Sequence, residues 1–588
     1  MAQLQFKGKT FVQNHHLLVK YHELVPVKAK SLTDKVTLHD NLIIYGDNLK
    51  ALKALLPLYA GKIDCIYIDP PYNTGNEKWA YNDSVNSPMM QDWLGKVVDR
   101  EDLTRHDKWL CMMMPRLKIL KDLLKSEGVI MVSIDDNEAH HFRCLMDEVF
   151  GEENFIAQLV CEKGRKNDAK LFSVGHEYIL IYARSMDTLK QRKTIWREDK
   201  PGAKEIQDEY LRLRALHGSD SNAIQEGLRD FYKQLPKNHP SKKHSRYGNV
   251  DDNGVWRDDN MSWPGGGGPS YDVIHPKTRK PCVVPEGGWR YATIEKMNEM
   301  IAAGVVVFRE DHTEPPIRKT YLVRSLSPES NGNGEEEDAS DIGIQVAGSY
   351  FYRSALQATN VLVSIFGKKV FENPKDHEVL ARLIRYVTQG NQRALVLDSF
   401  AGTGTTGHAV LALNESDKGS RRFILVECED YADSITAERV RRVIKGVPIS
   451  KDEALRKGLG GSFSFFKLGK AIELESILDG NGLPTYEELA RYVFYTATGE
   501  EFDERAINEK RRFIGESRNY QVFLFYEPDV AKLKNLALTL DMAKSLPPLK
   551  KDKRRLVFAP TKYLDQEHLD QFRIDFAQLP YEIYELTR

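Results

Sequence analysis

Ile63-Asp64-Cys65-Ile66-Tyr67-Ile68-Asp69-Pro70-Pro71-Tyr72-Asn73-Thr74-Gly75 reads as a buried strand running into a stiff loop. Residues 65–68 form an apolar run, the signature of a parallel strand covered on both faces. The prolines fix φ and carry no amide proton, so the loop is rigid and its carbonyls are free to point outward. Ligands of an open parallel sheet bind where the carboxyl ends of its strands leave a crevice. A carboxylate, a carbonyl and an aromatic ring held together there can accept two hydrogen bonds from an exocyclic amine while the ring stacks on the base that carries it. A rigid turn at a strand end is the plainer reading of the same four residues.

On either side of this segment the pattern repeats. Leu42-Ile43-Ile44-Tyr45 and Val129-Ile130-Met131-Val132 are further buried strands, and His176 to Ala183 adds another to the sheet. Asn48 to Leu58 and Lys108 to Ser126 carry apolar residues at helical spacing, with Gly61 and Gly128 placed as stops. Strand and helix in alternation predict an α/β fold. The alternation breaks after Arg184 and resumes near Pro374, with a helix at 375–388 and strands at 394–397 and 423–426.

A second loop with chemistry follows Leu395-Val396-Leu397. Asp398-Ser399-Phe400-Ala401-Gly402-Thr403-Gly404-Thr405-Thr406-Gly407 leads straight into a helix. Glycines in such a turn let backbone amides approach a ligand at a helix N-terminus. No Lys stands in the GK[ST] position, so the loop is not of the P-loop type. Gly402, Gly404 and Gly407 satisfy GxGxxG, a weak signal alone, but Glu427 ends the next strand about 20 residues on, where a carboxylate can bind a ribose diol.

The chain has 588 residues, with 84 Lys and Arg against 85 Asp and Glu, so any surface for a polyanion is local. No apolar run approaches the roughly 18 to 20 residues of a bilayer crossing. The N-terminus does not read as a secretory signal, with no charged segment before an apolar core, and a cytoplasmic location is the expectation. Cys65, Cys111, Cys144, Cys161, Cys282 and Cys428 show no metal or disulfide spacing and read as small apolar side chains. His140 and His141 show no Cys or carboxylate at ligand spacing, so no metal is expected. Residues 186–246 carry 14 Lys and Arg against 9 Asp and Glu, followed by Trp256, Trp263, Trp289 and a run of glycines. Aromatics among basic groups suit nucleic acid; a basic helical insert with a tryptophan core explains them as well. The run 550–555 (KKDKRR) reads as a solvated face, with a phosphate patch as the alternative.

Taken together, these motifs resemble the DNA amino-methyltransferases that use S-adenosylmethionine. Asp69-Pro70-Pro71-Tyr72 is similar to their catalytic DPPY, and Phe400-Ala401-Gly402-Thr403-Gly404 to their FxGxG cofactor motif. Gly46-Asp47-Asn48-Leu49 and Phe371-Glu372-Asn373-Pro374-Lys375 resemble the elements preceding each. DPPY before FxGxG, with an insert between, resembles the β-class. Chain length, Asn73-Thr74-Gly75 and the His176-Glu177-Tyr178 strand are similar to modification subunits of type III restriction systems.

The resemblance implies a Rossmann-like methyltransferase sheet, with its catalytic half in residues 1–184 and its cofactor half in 361–470. It makes 185–360 an inserted target recognition domain and leaves 471–588 as a small C-terminal α/β domain of unread function. The implied reaction is methyl transfer to the N6 amine of adenine in double-stranded DNA, after base flipping, in restriction-modification or as an orphan enzyme. Asp69, Pro70, Pro71 and Tyr72 would be catalytic. Asp398, Phe400, Gly402, Gly404, Thr405 and Glu427 would bind the cofactor, with Asp47 at its adenine and Asn373 and Lys375 near its methionine carboxylate. A homodimer and a separate restriction subunit, helicase and nuclease, are the implied partners. N4 methylation of cytosine and a non-catalytic DNA specificity subunit are the alternatives; Asp at the first DPPY position favours adenine.

Overall fold

A computed structural model of the chain describes residues 4–73, 104–162, 164, 171–324, 344–352, 355–471, 483–500, 502–533 and 535–579. Two compact units result, one from residues 1–195 with 348–588 and the other from 196–347.

The first unit is built on a mixed sheet whose strands, in chain order, are β1 (His22–Pro26), β2 (Leu42–Tyr45), β3 (Ile63–Ile68), β4 (Leu124–Ile134), β5 (Phe155–Glu162), β6 (His176–Ala183), β7 (Tyr350–Tyr352), β8 (Leu395–Asp398), β9 (Arg422–Glu427) and β10 (Ser464–Ala471). They lie in the order β1-β10-β2-β9-β8-β3-β4-β6-β5-β7. From β10 to β4 every pairing is parallel, while β6 runs antiparallel to β4 and β5. The helices that bear on the site include α1 (Asn48–Tyr59), α2 (Arg105–Leu123), α3 (Ala139–Phe150), α4 (His377–Val387), α5 (Thr405–Asp417) and α6 (Glu438–Lys445). The central strands bury nearly every side chain on both faces, including Ile63, Ile66, Ile68, Val396 and Leu397. This is why they lack the alternation of a half-exposed strand. Fold class and parallel core follow the expectation from sequence.

Connectivity fixes where a ligand can go. From β3 the chain passes through α2 to β4 on one side, whereas from β8 it passes through α5 to β9 on the other. β3 and β8 are nevertheless neighbours, pairing Val396 with Cys65 and Leu397 with Ile66. The two following helices therefore diverge and leave a crevice between the loops at the carboxyl ends of these strands.

The glycine stop expected at Gly128 is displaced. A capping box between Thr104 and Asp107 starts α2, and the helix ends at Leu123 because Leu124 is already extended. Gly128 lies within β4, where Ile63 pairs with Leu124 but Cys65 with Val129. At this bulge a Cβ on Gly128 would stand 2.9 Å from the Ile63 carbonyl oxygen, so glycine serves close approach of two strands. Gly61 does follow the end of α1, with φ +66°.

Residues after 482 begin with α7 (Tyr486–Thr498) and add a sheet of β11 (Phe513–Glu516), β12 (Tyr520–Leu524), β13 (Arg554–Ala559) and β14 (Ile574–Gln578). Tyr486, Leu489 and Val493 of α7 share a buried cluster with Leu52 and Leu55 of α1. In the 550–555 run, Lys550 and Lys553 both lie 2.6 Å from Glu516, and Arg554 pairs with Asp575. Its basic groups thus serve their own sheet.

In the second unit, helices Ala203–His217 and Ser221–Gln234 pack through Ile206, Tyr210, Leu213, Ile224 and Leu228. A four-stranded antiparallel sheet contains Gly254–Asp259 and Ile317–Arg324. Trp289 is wholly buried and donates Nε1–H to the Tyr271 carbonyl at 2.7 Å. Among the described residues no helix is long and apolar enough to cross a membrane. Cys65, Cys111 and Cys282 are buried as small apolar groups, whereas Cys144 is exposed on α3.

Candidate active site

The loop after β3 cannot hold itself by backbone amides, since Pro70 and Pro71 have none. Side chains hold it instead. Trp109, wholly buried in α2, donates Nε1–H to the Pro71 carbonyl at 2.6 Å, so this carbonyl is not the free acceptor its position in the sequence suggests. Asn73 is left-handed at φ +56°, a conformation that asparagine tolerates. Its amide donates to the Arg105 carbonyl at 3.3 Å and to the fully buried carboxylate of Glu138.

Glu138 also lies 2.7 Å from His106 Nδ1 and 3.3 Å from His141 Nδ1. A carboxylate therefore does stand at ligand spacing from His141, three residues earlier on the same helix, contrary to the reading of that pair from sequence. The three side chains could hold a metal ion; at these distances they form a hydrogen-bonded network that anchors the residue after Tyr72.

Tyr72 donates its hydroxyl to Glu177 Oε2 at 2.9 Å. Lys375 Nζ lies 2.8 Å from the same carboxylate oxygen and 3.0 Å from Asp69 Oδ1, and also donates to the Tyr72 hydroxyl. Its charge sits 4.8 Å from the centre of the Tyr72 ring. Burial pulls the Lys375 ammonium down, but the carboxylates of Asp69 and Glu177 outweigh it and hold the pKa above its usual value. Asp69 Oδ1 is buried without a well-directed hydrogen bond despite this ion pair. It retains acceptor capacity for a substrate donor.

The loop after β8 is held largely through its own backbone amides. Asp398 accepts from the Phe400 amide at 3.0 Å and the Thr406 hydroxyl at 2.6 Å. Glu427 accepts from the amides of Gly402, Cys428 and Glu429 at 2.7 to 3.0 Å. Burial pushes both carboxyl groups up to about 7. Buried Arg439 of α6 donates to the hydroxyls of Thr403 and Thr405, both at 2.7 Å. Gly404 is the left-handed N-cap of α5, and a Cβ there would meet the Thr436 carbonyl oxygen at 3.0 Å. Gly402 has φ +50°, and a Cβ there would find no atom closer than 4.0 Å, with the Phe371 ring facing it.

Both loops open into one cavity of about 800 Å³, within the range of small-molecule sites. Asp69, Pro70, Pro71, Tyr72, Asn373, Lys375, Asp398, Phe400, Gly402, Thr405 and Glu427 line it. Asp47 and Gly404 stand outside the lining. Asp47 caps α1 by accepting from the Lys50 amide at 3.0 Å; Gly404 turns the chain. Lys375 stands against the β3 loop, with its ammonium on Asp69 and Glu177.

Several residues that matter here were given no role from sequence. Glu177 binds Tyr72 and Lys375; Asn48 donates to the Ser399 carbonyl at 2.9 Å and accepts from buried Arg116 at 2.6 Å, fixing the turn after β8. Tyr431 meets Phe371 edge to face at 5.7 Å beside Gly402 and forms an aromatic wall. Asn48, Glu177 and Phe371 had a signal, as members of motifs whose other residues drew attention.

The cradle fits an adenosine-bearing sulfonium. Gly402 leaves space above the loop, Phe371 and Tyr431 offer ring faces, Glu427 keeps a fourth lone pair, and seven of the lining side chains are carboxylic acids.

Comparison with known proteins agrees with this architecture. Residues 63–438 match the family model described as DNA methylase. The Mod subunit of the type III restriction-modification enzyme EcoP15I of Escherichia coli is 30% identical over 408 residues, 66% of this chain and 58% of that one. The StyLTI Mod subunit of Salmonella typhimurium is 29% identical over 470 residues, 75% and 62% of the two chains. The type II methyltransferase M.KpnI of Klebsiella pneumoniae is 30% identical over 397 residues, 66% and 80%. The chain thus spans about three fifths of the length of these Mod subunits. With a family match that covers most of its length and both loops of the site, the chain belongs to the DNA methylase family.

Proposed function

We propose that the chain transfers the methyl group of S-adenosylmethionine to the N6 amine of adenine in double-stranded DNA, as the modification subunit of a type III restriction-modification system. The observation that carries this reading is the parallel pairing of β3 with β8, which opens Asp69 to Tyr72 and Phe400 to Gly402 into one cavity. When bound, the cofactor supplies an electrophilic methyl group. The chain's own residues do the rest. Asp69 accepts hydrogen bonds from the amine, whose lone pair is otherwise delocalised into the ring, and stabilises the positive charge that develops on nitrogen. Tyr72 stacks on the base once it has left the duplex. Phe371, Gly402 and Glu427 would hold the cofactor from the other side of the cavity, and Asp69 and Tyr72 would orient the amine toward it.

Residues 185–360 are proposed as the target recognition domain and 471–588 as a C-terminal domain. A restriction subunit with helicase and nuclease activity would be a separate partner, and two copies of this chain would form the modifying unit. Long-read sequencing of DNA from a host expressing the chain, with mass spectrometry of its nucleosides, tests the reading. N6-methyladenine at one short sequence is expected; N4-methylcytosine, or no modified base, would overturn it.

A further inference from the structure

Lys375 carries the one ammonium or guanidinium among the described residues lining the cavity, and it lies where the substrate amine must go. Its nitrogen contacts Asp69 Oδ1 at 3.0 Å, as a target amine would, and donates to the hydroxyl at the edge of the Tyr72 ring, beside the face on which a base would stack. A fixed positive charge on Asp69 would oppose the positive charge that develops on the amine during methyl transfer. It cannot stay there through the reaction.

Glu177 offers the alternative position. It is buried, comes from β6, and already holds Lys375 at 2.8 Å. We propose that Lys375 is the resting counter-ion of Asp69, occupying the site of the target amine, and that Glu177 takes over the ammonium when the base arrives. Both are positioning residues, acting through Asp69, and the inference rests on the methyl-transfer reading above. The pair solves a charge problem. Asp69 faces Glu177 from β6, with Asp398 at the end of β8 and Asp135 after β4 nearby, and the hydroxyls of Tyr67 and Tyr72 add no positive charge. Without Lys375, two carboxylates at the site would face one another with no positive charge between them, an arrangement that favours protonation of one of the pair, and a protonated carboxyl is a poor acceptor.

The test is the pH dependence of single-turnover methyl transfer to DNA carrying the sequence found by long-read mapping. Lys375→Met should move the acid limb of the rate profile upward by about one pH unit or more. Lys375→Arg, which keeps the charge, should leave the limb in place. Lys375→Met/Glu177→Gln removes both charges and should return the limb to the wild-type position. Glu177→Gln alone leaves the ammonium no second carboxylate and should lower kcat/KM for DNA about tenfold with cofactor affinity unchanged. Thermal unfolding of each variant checks that it folds, and the arginine variant alone decides if the methionine variant does not: a limb displaced in Lys375→Arg overturns the inference. So do coincident limbs in wild type and Lys375→Met, or a double variant that keeps the displaced limb. Absence of methyl transfer in the unsubstituted chain overturns the functional reading itself.

Discussion

The loops after β3 and β8 leave neighbouring strands and face one cavity, yet they are held in opposite ways. Residues 69–73, poor in amides, are fixed from outside by Trp109, Glu138, Glu177 and Lys375. Residues 399–404, rich in glycine, present amides to the carboxylates of Asp398 and Glu427 at the ends of their own two strands. A proline loop keeps a fixed shape and leaves a carboxylate free for chemistry. A glycine loop wraps a ligand and uses its carboxylates as scaffolding. The first should therefore respond to substitution mainly in rate, the second mainly in cofactor affinity.

The sharpest break in this comparison is Asp69→Ala. It removes the acceptor at the reacting amine, and methyl transfer should fall by about a thousandfold or more. Cofactor affinity measured by calorimetry should stay near wild type, because Asp69 holds no part of the glycine loop. Gly402→Val should show the reverse pattern. A β-branched residue at φ +50° is strained, and its side chain would fill the cradle. The cofactor Kd should rise by roughly tenfold to a hundredfold, while rate at saturating cofactor changes less.

Fold and first motifs were legible because their signals are local. Buried parallel strands declare themselves as apolar runs, and two prolines or three glycines within a few residues dictate a loop wherever it lies. The contacts between partners were not legible, because nothing local marks them. Glu177 lies 105 residues from Tyr72 and Lys375 303 residues from it, and only the sheet order brings them together. Asp47 read as a ligand residue because acidic turn residues serve both as contacts and as helix caps, and the cap prevailed. Gly128 read as a stop because a bulge two strands deep leaves no trace in a single segment.

Titration of Glu427 sharpens the contrast further. Burial raises this carboxyl group from 4.5 to about 7 against three amide donors. A raised acid pKa means that the folded chain holds the proton longer than the unfolded one, so this group favours folding at low pH. That contribution is lost as pH rises from 4.5 through 7. On the proposed role, ribose hydroxyls would donate to the ionised form of Glu427, so cofactor binding would require proton release below pH 7. Affinity should fall by up to about tenfold per pH unit there. Calorimetry across this window checks it: Glu427→Gln should flatten the dependence, and a slope that survives in this variant would transfer the effect to Asp398.

The smallest expected effect belongs to Trp109→Phe, and it bears directly on how the proline loop is held. The substitution keeps the ring's packing against Phe142, at 5.2 Å edge to face, and removes only the hydrogen bond to the Pro71 carbonyl. One such bond contributes about 1 kcal/mol, so the melting temperature should drop by only a few degrees. If this outside contact sets the position of Asp69 and Tyr72, the methyl-transfer rate should fall about fivefold at unchanged cofactor Kd, since about 1 kcal/mol then separates the aligned loop from looser forms. An unchanged rate with the same loss of stability would mean that the two prolines hold the loop unaided, and that Trp109 serves the core alone.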